Sequence, residues 1–137
     1  MTAIVVDASV TAAWFLEDEQ DSYATSVLRS MEGEVTAHVP SLWGYEFANV
    51  LTMAERRSRI TESDAGRILM LMQSLSIEVD AAPTTGTLDK LVDIARHHGI
   101  TAYDAAYLEL AIRLDACLAT LDQRLRAVAQ GAGIPAA

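Results

Sequence analysis

At 137 residues, with 51% hydrophobic and 21% charged residues, the chain has the composition of one globular domain and not of a disordered or fibrous segment. Its single cysteine, Cys117, excludes a disulfide framework and lies in the apolar run Ala116-Cys117-Leu118-Ala119, where a buried, inert thiol is expected. The formal net charge of −9 argues against a broadly basic nucleic-acid surface, although Arg56, Arg57 and Arg59 cluster in one stretch and Arg113, Arg124 and Arg126 gather towards the C-terminus.

In chain order, short apolar runs alternate with longer helical patterns. Ile4-Val5-Val6 reads as a strand buried on both faces, and Asp7 stands where it ends. The helix that follows begins around Ser9 and runs to Phe15, so Asp7 taken alone reads as a helix cap or as a ligand-facing residue at the sheet rim. Glu17-Asp18-Glu19-Gln20 is a polar break, after which Ala24, Val27, Leu28 and Met31 keep helical spacing up to Gly33. Val35 to Val39 is a second strand. Pro40-Ser41 precedes a long helix with the stripe Trp43, Phe47, Val50, Leu51 and Ala54, with Glu46 on its border and Asn49 three residues on.

Thr61-Glu62-Ser63-Asp64 has the form of a capping box and opens a helix through Ile68, Leu69, Leu71, Met72 and Leu75, whose methionines read as core filler. Ile77-Glu78-Val79 is a third strand, with Asp80 at its end. A helix through Leu88, Leu91, Val92 and Ile94 closes at His97-His98-Gly99, where paired histidines suit a helix C-terminus better than a metal. Thr101 starts the next helix, with Asp104 in its first turn. Cys117 to Thr120 is a fourth strand followed by Asp122, a last helix carries Leu125, Val128 and Ala129, and residues 131–135 can add a short final strand. The alternation predicts a three-layer α/β/α sandwich with a mainly parallel central sheet, as one domain over residues 1–137. With no apolar run long enough for a membrane span and no signal-peptide pattern, the expected location is the cytoplasm.

In a parallel sheet all strand C-termini share one edge, so Asp7 and Asp122 can converge there, and Asp104 and Glu46 reach the same rim from helices. Each acid also has a structural reading alone: Asp104 in a capping box with Thr101, Asp122 as an N-cap, Glu46 as an edge carboxylate. One shared site accounts for all four at once. Two carboxylates about 4 Å apart repel by roughly 4 kcal/mol at an effective dielectric near 20, so unless protonated such a cluster needs a cation. Oxygen-only ligands without histidine or cysteine select hard ions, Mg²⁺ or Mn²⁺, and a pair of such ions suits phosphodiester hydrolysis.

The segments Ile4-Val-Val-Asp7-Ala-Ser9, Glu46-Phe-Ala-Asn49, Thr101-Ala-Tyr-Asp104-Ala-Ala-Tyr107-Leu and Leu118-Ala-Thr120-Leu-Asp122 together closely resemble PIN domains, especially the VapC-type toxins of bacterial toxin–antitoxin modules. The resemblance spans nearly the whole chain. It implies a metal-dependent endoribonuclease in which Asp7, Glu46, Asp104 and Asp122 are the acidic quartet, while Ser9, Asn49 and Thr120 orient the carboxylates. It also implies an RNA substrate, a homodimer and a small VapB-type antitoxin occupying the active-site groove, where an antitoxin arginine could replace metal as a bidentate partner for carboxylates.

Two other classes compete. A phosphatase of the haloacid dehalogenase type also has an Asp at the end of strand one, but needs a second Asp where this chain has Ser9. A phospho-acceptor receiver domain could use Asp80 and Thr120, yet needs a lysine after the last strands, and the only lysine is Lys90. A non-catalytic α/β interaction module would be marked by the absence of metal-dependent RNA cleavage.

Overall fold

A computed structural model describes residues 3–137. Four short strands, β1 (Ala3–Val6), β2 (Thr36–Val39), β3 (Ile77–Val79) and β4 (Cys117–Ala119), form one sheet in the order β3-β2-β1-β4, and every neighbouring pair is parallel. Seven α-helices connect and flank them: α1 (Ala8–Phe15), α2 (Ser22–Ser30), α3 (Leu42–Arg56), α4 (Glu62–Gln73), α5 (Thr85–His98), α6 (Ala102–Leu114) and α7 (Gln123–Gly131). A single 3₁₀ turn, Glu17–Glu19, links α1 to α2. The result is the expected three-layer α/β/α arrangement with a parallel sheet.

β1 lies inside the sheet because its residues have no polar face to offer solvent. Val5 and Val6 are completely buried and Ile4 nearly so, against Leu118 and Ala119 on one neighbour and Ala37 and Val39 on the other. Helix α1 packs on α2 and α3, while α6 crosses β1 and β4 and pairs with α5. Trp43 and Phe47 of α3 stack with ring centroids 5.8 Å apart, and the Trp43 indole N–H donates to the buried Thr11 hydroxyl at 3.0 Å. This contact ties α3 to α1 without leaving either polar atom unpaired.

Several expectations are corrected at the element ends. β2 begins at Thr36 and not Val35, and β4 stops at Ala119, which leaves Thr120 beyond the strand. The final strand reduces to one parallel bridge between Leu118 and Ala136, with the Leu118 N–H donating to the Pro135 carbonyl at 2.9 Å. Pro135 has no N–H with which to extend a ladder. Met70, read as core filler, is 73% exposed, and Leu69 and Leu71 are half exposed, because only Ala65 and Ile68 of α4 turn fully inward. By contrast, the Thr61–Asp64 capping box closes in both directions, and Gly99 ends α5 in the left-handed region at φ 63°.

One ion-pair network was not anticipated. Glu109 on α6 is buried, and Arg113 one turn later donates to it from Nε and Nη2, both at 2.9 Å. The same guanidinium reaches Asp80 at the end of β3, with Nη2 to Oδ2 at 2.6 Å. It thereby pins α6 to the sheet's edge strand.

Candidate active site

Asp7 occupies the N-cap position of α1, with extended backbone, but its side chain makes no cap hydrogen bond. The carboxylate is held elsewhere. Its Oδ2 accepts from Ser9 Oγ at 2.9 Å and from Thr120 Oγ1 at 2.7 Å. Both hydroxyls are themselves anchored, because Ser9 Oγ accepts from the Leu121 N–H at 3.1 Å and Thr120 Oγ1 from the Asp122 N–H at 3.0 Å. The β1–β4 pairing makes this possible, since it continues one step past the strands through the Asp7 N–H to the Ala119 carbonyl. Behind the Thr120 loop, Arg126 donates to the Thr120 carbonyl at 2.6 Å and lies over the Tyr23 ring, 4.7 Å from its centroid.

Asp122 does two jobs. Its Oδ1 caps α7 by accepting from the Arg124 and Leu125 N–H groups at 2.9 and 3.1 Å, which leaves Oδ2 without a partner among the described residues. Glu46 Oε1 accepts from the Tyr107 hydroxyl at 2.6 Å, a buried contact between α3 and α6 that leaves Oε2 uncommitted. Asp104 is the freest of the four. Thr101 accepts its backbone N–H at 3.1 Å, but no described group donates to the Asp104 carboxylate, so the expected box with Thr101 is only half built. Every acid of the quartet thus turns at least one oxygen away from its protein partners.

Their charges feel one another. Burial pushes the Glu46 carboxyl above the usual carboxylate range, the Tyr107 hydrogen bond opposes this, and the negative charges of Asp7 and Asp104 add to it. Burial likewise raises Asp104, helped by Asp122 and Asp7 and opposed by Arg124. Burial, and next the bond to Glu46, holds the Tyr107 phenol well above its ordinary value, so it stays a proton donor. Among the described residues, however, no three His, Cys, Asp or Glu side chains are drawn tightly enough together to hold an ion. Asp7, Glu46 and Asp122 lean on hydroxyl or amide donors of their own, and Asp104 has none. The donors are all carboxylate oxygens, which fits a hard divalent ion and not zinc.

Among the other residues singled out in the sequence, Ser9 and Thr120 both hold Asp7, whereas Asn49 stands exposed on α3 and, among the described residues, makes no hydrogen bond to a carboxylate. Tyr107, which the sequence presents only as part of the segment around Asp104, is the partner of Glu46. Its signal was a hydroxyl one turn after Asp104, on the same side of α6.

The pH dependence of Asp104 provides a test of its surroundings. A carboxyl whose folded value is raised binds protons more tightly in the folded state, so its stabilising effect is present at low pH and is lost as pH rises through the raised value. In chelator, Asp104→Asn is therefore expected to match the wild type near pH 4 and to be the more stable protein near pH 8. Denaturant melts across that range check it, and an Asn variant that is weaker at every pH would mean that Asp104 serves its helix instead.

Residues 4–131 match the family described as PIN domain. The chain belongs to the PIN domain family. Among curated PIN relatives, Ribonuclease VapC3 of Pyrobaculum aerophilum is 32% identical over 122 residues, covering 89% of this chain and 91% of that protein. Ribonuclease VapC9 of Mycobacterium tuberculosis is 34% identical, covering 89% and 87%. Of solved structures, PAE2754 from Pyrobaculum aerophilum superposes with a TM-score of 0.70 at 28% identity, over 93% of this chain and 84% of that one. FitAcB from Neisseria gonorrhoeae gives 0.65 at 17% identity over 97% and 95%, a likeness of fold alone.

Proposed function

We propose that this PIN domain is a metal-dependent endoribonuclease that hydrolyses RNA phosphodiester bonds, the toxin of a VapBC-type toxin–antitoxin pair. The observation that carries the reading is the chain of charge coupling through Glu46, Asp7, Asp104 and Asp122 at the C-terminal edge of the sheet, each acid with an uncommitted oxygen. The relatives named VapC ribonuclease support it from the sequence side. Mg²⁺, with Mn²⁺ as substitute, is the ion the donor set favours, held by Asp7, Glu46, Asp104 and Asp122. When bound it supplies Lewis acidity towards a phosphoryl oxygen and lowers the pKa of water.

The protein's own contribution is positioning. Ser9 and Thr120 fix Asp7 in one orientation, Tyr107 does the same for Glu46, and the α7 cap fixes Asp122, so each acid keeps its aim while the group draws together around a ligand. Asp104, with no donor of its own, is the ligand free to adjust. A VapB-type antitoxin and a homodimer complete the proposal. Exposed apolar side chains on α4 (Leu69, Met70) and on α5 (Leu88, Val92) are available for such contacts. We place the protein in the cytoplasm; among the described residues no helix is long and apolar enough to cross a membrane.

The purified protein, freed of antitoxin, is expected to cleave RNA with Mg²⁺ or Mn²⁺, to leave a 5′-phosphate and a 3′-hydroxyl, and to stop in chelator. End-group analysis on total tRNA and ribosomal RNA, with an identically prepared Asp7→Ala control, checks this. Activity that survives chelator, or a 2′,3′-cyclic product, would point to metal-free attack by the ribose hydroxyl and sink the proposal.

A further inference from the structure

A groove of about 410 Å³ opens beside Glu46 and Ser9, and its wall includes Glu19, Asn49, Met53, Arg57 and Arg59. Glu46 and Arg57 mark its two ends along α3, about 16 Å apart at 1.5 Å per residue. Of the two arginines, Arg59 is already neutralised: it donates to both Asp18 oxygens at 2.7 Å and to Glu19 Oε2 at 2.6 Å. Arg57 is exposed and, among the described residues, makes no ion pair or side-chain hydrogen bond. In a chain of net charge −9, an unbalanced guanidinium at the end of a groove that starts at the acid cluster calls for an anion.

The exposed face of α3 adds a second kind of contact. Tyr45 and Asn49, both exposed, are four residues apart and share one side of the helix, with half-buried Met53 and then Arg57 following further round it towards its C-terminal end. Tyr45 is 83% exposed, the most exposed large hydrophobic residue among those described, and stands directly before Glu46. No packing role accounts for an aromatic ring in water at that position. Across the acids, Arg124 is held by the Gly99 carbonyl at 3.0 Å, close enough to Asp104 to oppose the rise of its carboxyl.

We propose that this face of α3 is the track for a single RNA strand, with Arg57 on a backbone phosphate and Tyr45 stacked on an unpaired base a few nucleotides from the scissile bond. The inference rests on the ribonuclease reading and names the form of its substrate. A duplex keeps its bases stacked on each other, so a lone exposed tyrosine gains from a base only when the strand is single. The unpaired Arg57 and the groove's continuity with Glu46 favour a strand that offers a phosphate to one and the scissile bond to the other over an apolar protein surface.

Fluorescence anisotropy with single-stranded and duplex RNA oligonucleotides in Ca²⁺, together with steady-state cleavage in Mg²⁺, tests the track. Tyr45→Ala is expected to weaken single-strand binding on the order of 10-fold and Tyr45→Phe to restore it, since stacking needs the ring and not the hydroxyl. Arg57→Ala is expected to raise KM with kcat retained, and to make the salt dependence of single-strand binding shallower by about 0.7 in log–log slope. Both side chains are at the surface, so the melting temperatures of all three variants should stay close to wild type. If the wild type cleaves RNA while these variants bind and cleave unchanged, the track is wrong and the ribonuclease reading stands. If single-strand binding depends on Tyr45 and Arg57 but nothing is cleaved, the track stands and the ribonuclease reading falls. Variants that leave RNA untouched but weaken a complex with a partner protein would overturn the track in favour of protein docking.

Discussion

Asp7→Asn is expected to lower metal-dependent RNA cleavage by at least about 100-fold while leaving the fold in place. Asparagine has the shape of the aspartate, and its amide oxygen can still accept from Ser9 and Thr120. Its NH₂ then faces the side where the carboxylate's other oxygen was free, presenting a donor where a ligand oxygen is needed. Thr120→Val is the companion experiment. It removes the hydroxyl that gives its proton to Asp7 and takes the Asp122 N–H, yet leaves all four acids intact. The loss should be smaller, about 10- to 100-fold, and should appear largely as weaker metal affinity. Titrating Mn²⁺ onto both variants separates the two effects. An Asp7→Asn protein with wild-type turnover would remove Asp7 from the chemistry altogether.

Arg113→Ala is expected to cost about 2–3 kcal/mol of stability. Removing one partner of a fully buried ion pair costs roughly 3–5 kcal/mol, because a charge is left stranded in low dielectric. Here the Glu109 side chain is 8% exposed but that of Arg113 is 42% exposed, so solvent already screens part of the pair and the lower figure applies. For a chain of this length that corresponds to a fall in Tm of about 10 °C. Adding Glu109→Leu to the Arg113→Ala protein should recover most of the loss, since the stranded carboxylate is then gone. A single variant as stable as wild type would mean that water reaches Glu109 once the guanidinium leaves.

What could be read from the residues, and what could not, follows from range. Ile4-Val5-Val6 could be placed as a buried strand because three consecutive β-branched residues leave no polar face, and Asp7 and Asp122 could be placed at the sheet edge because a parallel sheet puts every strand end there. Asp104 was legible as an acid in a first turn, but the choice between serving its helix and serving the site depended on whether its carboxylate turned back to Thr101, which only the structure shows. The bond from Tyr107 to Glu46 joins residues 61 apart, and that from Arg113 to Asp80 joins residues 33 apart. Periodicity within one helix carries no trace of either. The apolar run assigned to α4 held at Ile68, Met72 and Leu75 but misled at Leu69 and Leu71 for a related reason: with Met70 between them they are consecutive, and a helix with a single buried side cannot cover all three.

The hydrogen bond from Thr120 to Asp7 spans 113 positions of a 137-residue chain. As the polypeptide leaves the ribosome, β1 emerges more than a hundred residues before the strand that must lie beside it, with Thr120 and Asp122 at its end. No nascent chain short of that point holds the Asp7 carboxylate in place, however well its earlier helices have formed. A nascent chain therefore carries no assembled site until Asp122 has been made, and messages truncated before its codon encode proteins without the site.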